Sequence, residues 1–308
     1  MSPGLRVAFV NNMPDAAVAA TEAQFTRLLH QAAPGVSLQL RRYAIANVPR
    51  SEAMRRKMAR SYEDVAALYA RGADLLIVTG AEPRAERLDA EPYWEDVSRL
   101  VQWARGNTLG VLWSCLAAHL AVQAMDGVPR QRAETKFSGV YACDVVDRDW
   151  AFDGAGAQVK TPHSRYNGLA PSDLESCGYR IASSSDEIGV DCFWRREPSL
   201  FLFTQGHPEY DADTLAREFR RDALRFCEGS SGSFPQAPAH YLASVTQQRL
   251  AELRTLARAL APREFTHQLN QMLAQERLEA TWAEDAARLY RNWLAAATAG
   301  RALNLRSA

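Results

Sequence analysis

Three short, almost wholly apolar runs, each closed by polar residues and followed by a segment of helical periodicity, restrict the fold more than any other feature of this sequence. The first, Leu5 to Val10, ends at Asn11-Asn12-Met13-Pro14-Asp15 and leads into Ala16 to Gln31, with apolar positions at Ala20, Phe25, Leu28 and Leu29. The second, Asp74 to Val78, ends at Thr79-Gly80-Ala81 and precedes a helical stretch through Trp94, Val97, Leu100, Val101 and Trp103. The third, Leu109 to Trp113, stops at Ser114-Cys115 and passes into Leu116 to Met125. Strands without polar alternation are buried on both faces. Strands alternating with helices imply parallel pairing through crossovers, and open parallel sheets bind ligands beyond the carboxyl ends of their strands. Val36 to Tyr43 alternates like a half-buried strand, and Glu52 to Ala70 reads as one charged helical stretch.

Lys136 to Phe203 is richer in short strands and turns, at Gly139–Val146, Ala157–Lys160, Tyr179–Ser183, Gly189–Phe193 and Leu200–Thr204, and these should include antiparallel edges. After Gly206-His207-Pro208-Glu209 a helix is expected from Asp211 through Leu215, Phe219, Leu224 and Phe226, with Asp211 placed to cap it. Glu228 to Pro235 is the one linker-like segment, and beyond His240 the pattern is helical, divided at Pro262, with a stripe of Trp282, Ala286, Leu289 and Trp293. The expectation is an α/β fold with a mostly parallel central sheet flanked by helices over residues 1–234, and a helical C-terminal extension over 235–308.

The 36 Lys plus Arg balance the 36 Asp plus Glu, so no basic field marks a partner such as nucleic acid or an anionic membrane. No apolar run reaches spanning length, and the first residues lack a signal-peptide layout, so a cytoplasmic location is expected. Five cysteines without a CxxC fit neither a disulfide framework nor a structural zinc site. HExxH, EF-hand and glycine-rich phosphate-loop patterns are absent, which argues against metal catalysis and nucleotide hydrolysis. No metal or resident cofactor is expected. Arg outnumbers Lys 33 to 3, so each lysine is worth inspection.

Cys115 stands where a buried strand turns into a helix, a place that projects a thiol at the sheet edge while the helix amides favour a thiolate. A free cysteine is by composition more often a small buried hydrophobe; its position reverses those odds. A thiolate acting on an acyl group wants a base and a group to orient the base, and His207 and Glu209 supply both if the Gly206–Glu209 turn ends a strand. A surface turn with a solvated His and Glu is the blander alternative. Thr161-Pro162-His163-Ser164-Arg165-Tyr166 reads as a proline-fixed loop, either a substrate rim or a hydrogen-bonded turn. Lys136 is a solvated lysine or an anion ligand. Arg221, three residues after Glu218, is at its blandest an exposed ion pair of little energy.

Taken together, Asn11-Asn12-Met13-Pro14, Thr79-Gly80-Ala81, Tyr93-Trp94, Ser114-Cys115, Thr135 to Tyr141, Pro162 to Tyr166 and Thr204 to Leu215 resemble the homoserine O-succinyltransferase family in order and spacing, over about residues 5–228. The resemblance implies a fold like the class I glutamine amidotransferases. It implies Cys115 as the acyl-accepting nucleophile, His207 as general base and acid, and Glu209 as the residue orienting His207. Lys136, Ser164 and Arg221 would line the amino-acid pocket, with Arg221 meeting a substrate carboxylate and Glu218 close by. Backbone amides at Leu116 and near Glu82 to Arg84 would stabilise an oxyanion. The implied reaction is ping-pong transfer from an acyl-CoA co-substrate to L-homoserine in methionine synthesis, with a homodimer among the assemblies the resemblance allows.

The chain departs from the family pattern in places. Leu116 follows the nucleophile where an aromatic residue is usual, and His119 stands where glutamine is common. Arg84 occupies a position linked to acyl-group choice, and a guanidinium there could pair with a succinyl carboxylate, favouring succinyl-CoA over acetyl-CoA. Pro235 to Glu279 reads as an extra helical insertion before a terminal helix around Trp293. Serine or another hydroxy amino acid as acceptor, a glutamine amidotransferase using the same Cys-His-Glu set, and a non-catalytic binding module are the alternatives.

Overall fold

In a computed structural model that describes residues 4–299, the three apolar runs become neighbouring strands at the centre of one sheet. In chain order the first half comprises β1 (Leu5–Val10), α1 (Val18–Ala32), β2 (Leu38–Ala44), α2 (Glu52–Met58), β3 (Glu63–Asp64), α3 (Val65–Arg71), β4 (Leu75–Thr79), α4 (Trp94–Asn107), β5 (Gly110–Ser114) and α5 (Leu116–Asp126). The second half comprises β6 (Gln131–Val145), β7 (Gln158–Gly168), α6 (Pro171–Ser176), β8 (Arg180–Ser185), β9 (Gly189–Arg196), β10 (Leu200–Thr204) and α7 (Thr214–Cys227), followed by α8 (Ser244–Leu256), α9 (Pro262–Ala274) and α10 (Ala283–Ala297).

The strands form a ten-stranded sheet in the order β3-β2-β1-β4-β5-β10-β9-β8-β6-β7. Pairing is parallel from β3 to β10 and antiparallel from β10 to β7, as the turn-rich second half of the sheet led one to expect. Because side chains alternate between faces, each apolar run feeds two cores. Val7, Phe9, Leu75, Ile77 and Leu112 join Phe25 and Leu28 of α1 and Trp293 of α10 on one face. Ala8, Val10, Leu76, Val78, Val111 and Trp113 meet Leu68, Leu100 and Leu120 on the other. Full burial of a side chain such as Trp293 contributes on the order of 1.5–3 kcal/mol or more, so α10 is held firmly to the sheet. The other late helices pack elsewhere: Leu250, Leu253, Phe265 and Leu269 of α8 and α9 enclose Phe219 and Ala223 of α7. No helix among the described residues is long and apolar enough to cross a membrane.

Three expectations from the sequence need correction. The charged stretch Glu52 to Ala70 is two helices, because Ser51 caps α2 and Asp64 caps α3 by accepting from Ala66 N at 2.8 Å, with β3 between them. Thr161 to Tyr166 is not a loop but part of β7, paired with β6 from Tyr141↔Thr161 to Phe137↔Arg165. Pro162 is tolerated because β7 is the edge strand, where a missing N–H costs least. The third concerns Asp211, which does not cap α7. That helix begins at Thr214, and the Asp211 carboxylate instead pairs with Arg27 and accepts from Gln24 Nε2 at 3.1 Å, tying the segment to α1.

Candidate active site

β5 and β10 pair in parallel with Ser114 opposite Thr204, so the residues after these two strands emerge side by side at the carboxyl edge. Cys115 follows Ser114 and adopts φ 52°, ψ −116°, in the left-handed half of the map, which a non-glycine residue occupies at a cost of about 1–3 kcal/mol. Its N–H donates to Thr204 O at 2.7 Å, and its carbonyl accepts from Ala118 N at 2.9 Å. The corner therefore lifts the thiol out of the sheet and sets it at the first turn of α5. Gly80 makes room for this turn: a Cβ there would lie 2.4 Å from Leu116 Cβ and 2.7 Å from Ala117 N.

The chain leaving β10 folds over the same edge. His207 and Glu209 are buried, and His207 Nδ1 lies 2.8 Å from Glu209 Oε1, leaving Nε2 for the Cys115 side. Burial by itself would lower the His207 pKa, but the charges of Cys115 and Glu209 outweigh it and hold the imidazole well above its ordinary value. The Tyr210 ring stacks on that of His207 at 4.3 Å and 12°, closing the outer face. A thiol, an imidazole and a carboxylate that orients the imidazole are thus brought to one point, an arrangement able to support acyl transfer through a thiol.

Cys115, His207 and Glu209 open onto a cleft of about 1410 Å³, which also takes in Lys136, Ser164, Glu218, Arg221 and Arg84. Lys136 sits where the β6–β7 register is interrupted between Arg132 and Phe137, and its Nζ reaches Asp222 Oδ2 at 3.3 Å. Arg221 donates from Nε to Asp222 Oδ1 at 2.8 Å, and its terminal nitrogens are free of hydrogen-bond partners among the described residues. Burial raises the Asp222 pKa, but Arg221 and Lys136 prevail and keep the carboxyl ionised below its usual range. Ser164 Oγ donates to Glu218 Oε2, and Tyr210 Oη donates to Glu218 Oε1 at 3.1 Å. The Glu218–Arg221 ion pair suggested by their spacing does not form: each has another partner.

The Arg84 side chain lines the cleft without a hydrogen bond or ion pair among the described residues. Its backbone N–H, with that of Ala85, is held by the carboxylate of the buried Glu91. Leu116 N and the Glu82–Arg84 segment border the cleft on the side of the α5 terminus.

One further cluster offers metal-ligand chemistry: Cys143, His163 and Asp191, all buried, with ligand atoms within 4.8 Å of one another. His163 Nε2 lies 3.0 Å from Asp191 Oδ1, while His163 Nδ1 accepts from Arg165 Nε at 3.1 Å. A guanidinium can only donate, so the ring proton is on Nε2 and neither nitrogen keeps a lone pair for a cation. The trio is a hydrogen-bonded core rather than a metal centre.

A family model described as homoserine O-succinyltransferase matches residues 3–301. A homoserine O-succinyltransferase of Methylorubrum extorquens is 43% identical over 291 residues, covering 94% of this chain and 86% of that protein. One from Bradyrhizobium japonicum is 42% identical, covering 94% and 89%. The chain belongs to the homoserine O-succinyltransferase family. The family is one of acyltransferase enzymes, and the resemblance read from the motifs is thereby established over nearly the whole chain rather than over residues 5–228 alone. A glutamine amidotransferase structure from Thermotoga maritima aligns with a TM-score of 0.51 at 11% identity, covering 99% of this chain and 100% of that one, a likeness of fold.

Within this family member, the structure gathers Cys115, His207, Glu209, Lys136, Ser164, Glu218, Arg221 and Arg84 at one cleft, while His119 lies buried away from it. Sequence reasoning passed over Asp222, Glu91, Tyr210 and Asp191. Asp191 had left a signal: a carboxylate in the middle of an otherwise apolar strand must be paired where it is buried.

Proposed function

We propose that the chain transfers a succinyl group from succinyl-CoA to the hydroxyl of L-homoserine by way of a thioester on Cys115. The observation that carries this reading is the meeting of the strained Cys115 corner with the His207–Glu209 pair at adjacent strand ends. In the first half-reaction the Cys115 thiolate attacks the thioester carbonyl, and the oxyanion is met by Leu116 N and Glu82 N, since Pro83 has no N–H and that of Arg84 is held by Glu91. The carbon–sulfur bond to coenzyme A breaks as the new one to Cys115 forms, and imidazolium His207 gives its proton to the departing thiolate. In the second, His207 takes the proton of the homoserine hydroxyl as its oxygen attacks the acyl carbon, and Cys115 leaves as thiolate.

The acceptor pocket is assigned to Lys136, Ser164, Glu218 and Arg221. The unengaged terminal nitrogens of Arg221 suit a bidentate carboxylate, and Glu218 suits an ammonium. Arg84, uncommitted on the cleft wall, suits the terminal carboxylate that a succinyl group has and an acetyl group lacks. The activated group arrives on its carrier, so this reaction needs no resident cofactor.

Intact-protein mass spectrometry with succinyl-CoA or acetyl-CoA, followed by a chase with homoserine or serine, tests the proposal. The expected result is a succinyl mass increase on Cys115, absent in Cys115→Ala and discharged by homoserine. Loading by acetyl-CoA alone, discharge by serine alone, or ammonia release from glutamine without loading would each replace it with the corresponding alternative.

A further inference from the structure

Arg165 is a buried cation without a carboxylate in contact among the described residues. It lies on β7, 4% exposed, and its donors go to neutral acceptors: Nε to His163 Nδ1 at 3.1 Å, one terminal nitrogen to Asn167 O, and the other to Ile188 O at 2.6 Å and Val190 O at 3.4 Å. The Phe137 ring lies 5.1 Å from the guanidinium carbon and closes off one side. Burying a charge among neutral groups is unfavourable unless an opposite charge stands nearby. Two anions are candidates. Asp191 is one, but it is separated from Arg165 by the neutral His163 ring and is already engaged by Ser183 Oγ at 2.7 Å and Thr161 Oγ1 at 3.2 Å. The other is Cys115, which shares the cleft wall with Arg165. Burial lowers the Arg165 pKa from its ordinary value, and the charges of Cys115 and Asp191 oppose that shift.

The same cluster lies directly under the turn that carries the base. His207 N donates to Pro162 O at 2.8 Å, and Gln205 N donates to Asp191 O at 2.8 Å. A Cβ on Gly206 would lie 2.8 Å from His163 Nε2 and 3.0 Å from Asp191 Oδ1, so the turn rests on the His163–Asp191 pair without a gap. Because His163 and Arg165 are two apart on a strand, they share a face, and the imidazole fixes the guanidinium where it stands.

We propose that Asp191, His163 and Arg165 form a second buried relay converging on the nucleophile, in which Arg165 is a positioning residue whose fixed positive charge favours the Cys115 thiolate. The inference rests on Cys115 being the nucleophile of the proposed reaction. His207 loses its positive charge whenever it gives up its proton, whereas a guanidinium stays charged through the whole cycle. Arg165 therefore supplies the thiolate with a counter-charge that does not depend on the catalytic proton. Among the described residues, the titratable groups that interact electrostatically with Cys115 are His207, with Glu209 behind it, Tyr210 and Arg165.

The test is the rate of Cys115 alkylation by iodoacetamide from pH 5 to 9, with Cys115→Ala giving the background from other cysteines. Arg165→Met should alkylate about tenfold more slowly at pH 7, with its pH profile displaced to higher pH, and Arg165→Lys should recover most of the loss. Folding is judged by circular dichroism and the melting transition. If Arg165→Met does not fold, His163→Gln is read in its place: it frees one anchor of the guanidinium, and alkylation and succinyl loading should slow together. Unchanged alkylation in folded Arg165→Met, or in His163→Gln where that variant is the one read, overturns the proposal. Alkylation uses no acyl donor, so failure of wild-type protein to load from succinyl-CoA would sink the transfer reading and leave this outcome separately legible.

Discussion

His207 and Glu209 make their 2.8 Å contact across a single intervening proline, so the imidazole and the carboxylate that orients it are set by one short turn rather than by two distant elements. Glu209→Gln keeps the shape and removes the charge. Turnover should fall by about 10²–10³, within the range of general acid–base contributions. With one of the charges that hold the His207 proton gone, the pH at which the imidazole deprotonates should move down, read from its ring C–H resonance. An unshifted resonance would mean that Glu209 does not govern the base.

Gly206 fixes the height of that turn. Adding a Cβ brings it to 2.4 Å from Thr161 Cγ2, within a cluster that is itself hydrogen-bonded and buried. The turn must lift, and His207 with it. Gly206→Ala should lower the rate of acyl loading by about a hundredfold, as a displacement near 1 Å can do. Its melting temperature should fall comparatively little; equal loss in both would indicate general damage rather than a misplaced base.

If the proposed two-step transfer holds, substitution of Glu218 should affect its two halves differently. Glu218 accepts from Ser164 and Tyr210 at the end of the cleft assigned to the amino acid, and it touches neither Cys115 nor His207 directly. Glu218→Gln should leave succinyl loading of Cys115 within about threefold and raise KM for homoserine by about tenfold, the effect of one lost charge-assisted contact. Rapid-quench measurement of loading beside steady-state KM distinguishes this from the opposite pattern, which would place Glu218 at the chemical step.

The centre of the fold was legible because its strands are buried on both faces, which leaves apolar runs such as Leu75–Val78 with nothing polar to confuse them. The position of Cys115 followed from that frame, since the strand end and the helix start are both marked in sequence. Thr161–Tyr166 resembles a loop in sequence because a proline stands there among four polar residues, Thr161, His163, Ser164 and Arg165. As an edge strand, β7 needs no N–H at Pro162, and its polar side chains are satisfied by groups remote in sequence, Asp191 and Glu218. Asp222 was invisible for a related reason. Its partners Lys136 and Arg221 meet only because the β6 register slips beside α7, a tertiary event without a local pattern.

His119 carries the last prediction. It lies within α5, 1% exposed, with neither ring nitrogen hydrogen-bonded among the described residues, and burial pushes its pKa down to about 3. Burial likewise takes His163 down to about 4. An unfolded histidine titrates near 6.5, so between that pH and the folded values the unfolded chain binds protons that the native one refuses. Stability should therefore decline as pH falls below about 6.5, by about 1.4 kcal/mol per pH unit for each of these residues. His207 has the opposite sign: its raised pKa contributes fully below about 6.5 and is lost only as pH rises, so it is silent in the acid window. The lowered carboxylates, Asp15, Glu63, Asp89, Asp191 and Asp222, act only near and below the ordinary carboxylate range of about pH 4. Urea unfolding between pH 6 and 5 thus isolates the buried histidines. His119→Gln should reduce the slope of unfolding free energy against pH by about 1.4 kcal/mol per unit, whatever it does to the stability at pH 7. An unchanged slope would mean that His119 is protonated in the native protein, and that its buried ring has found a partner the structure does not give it.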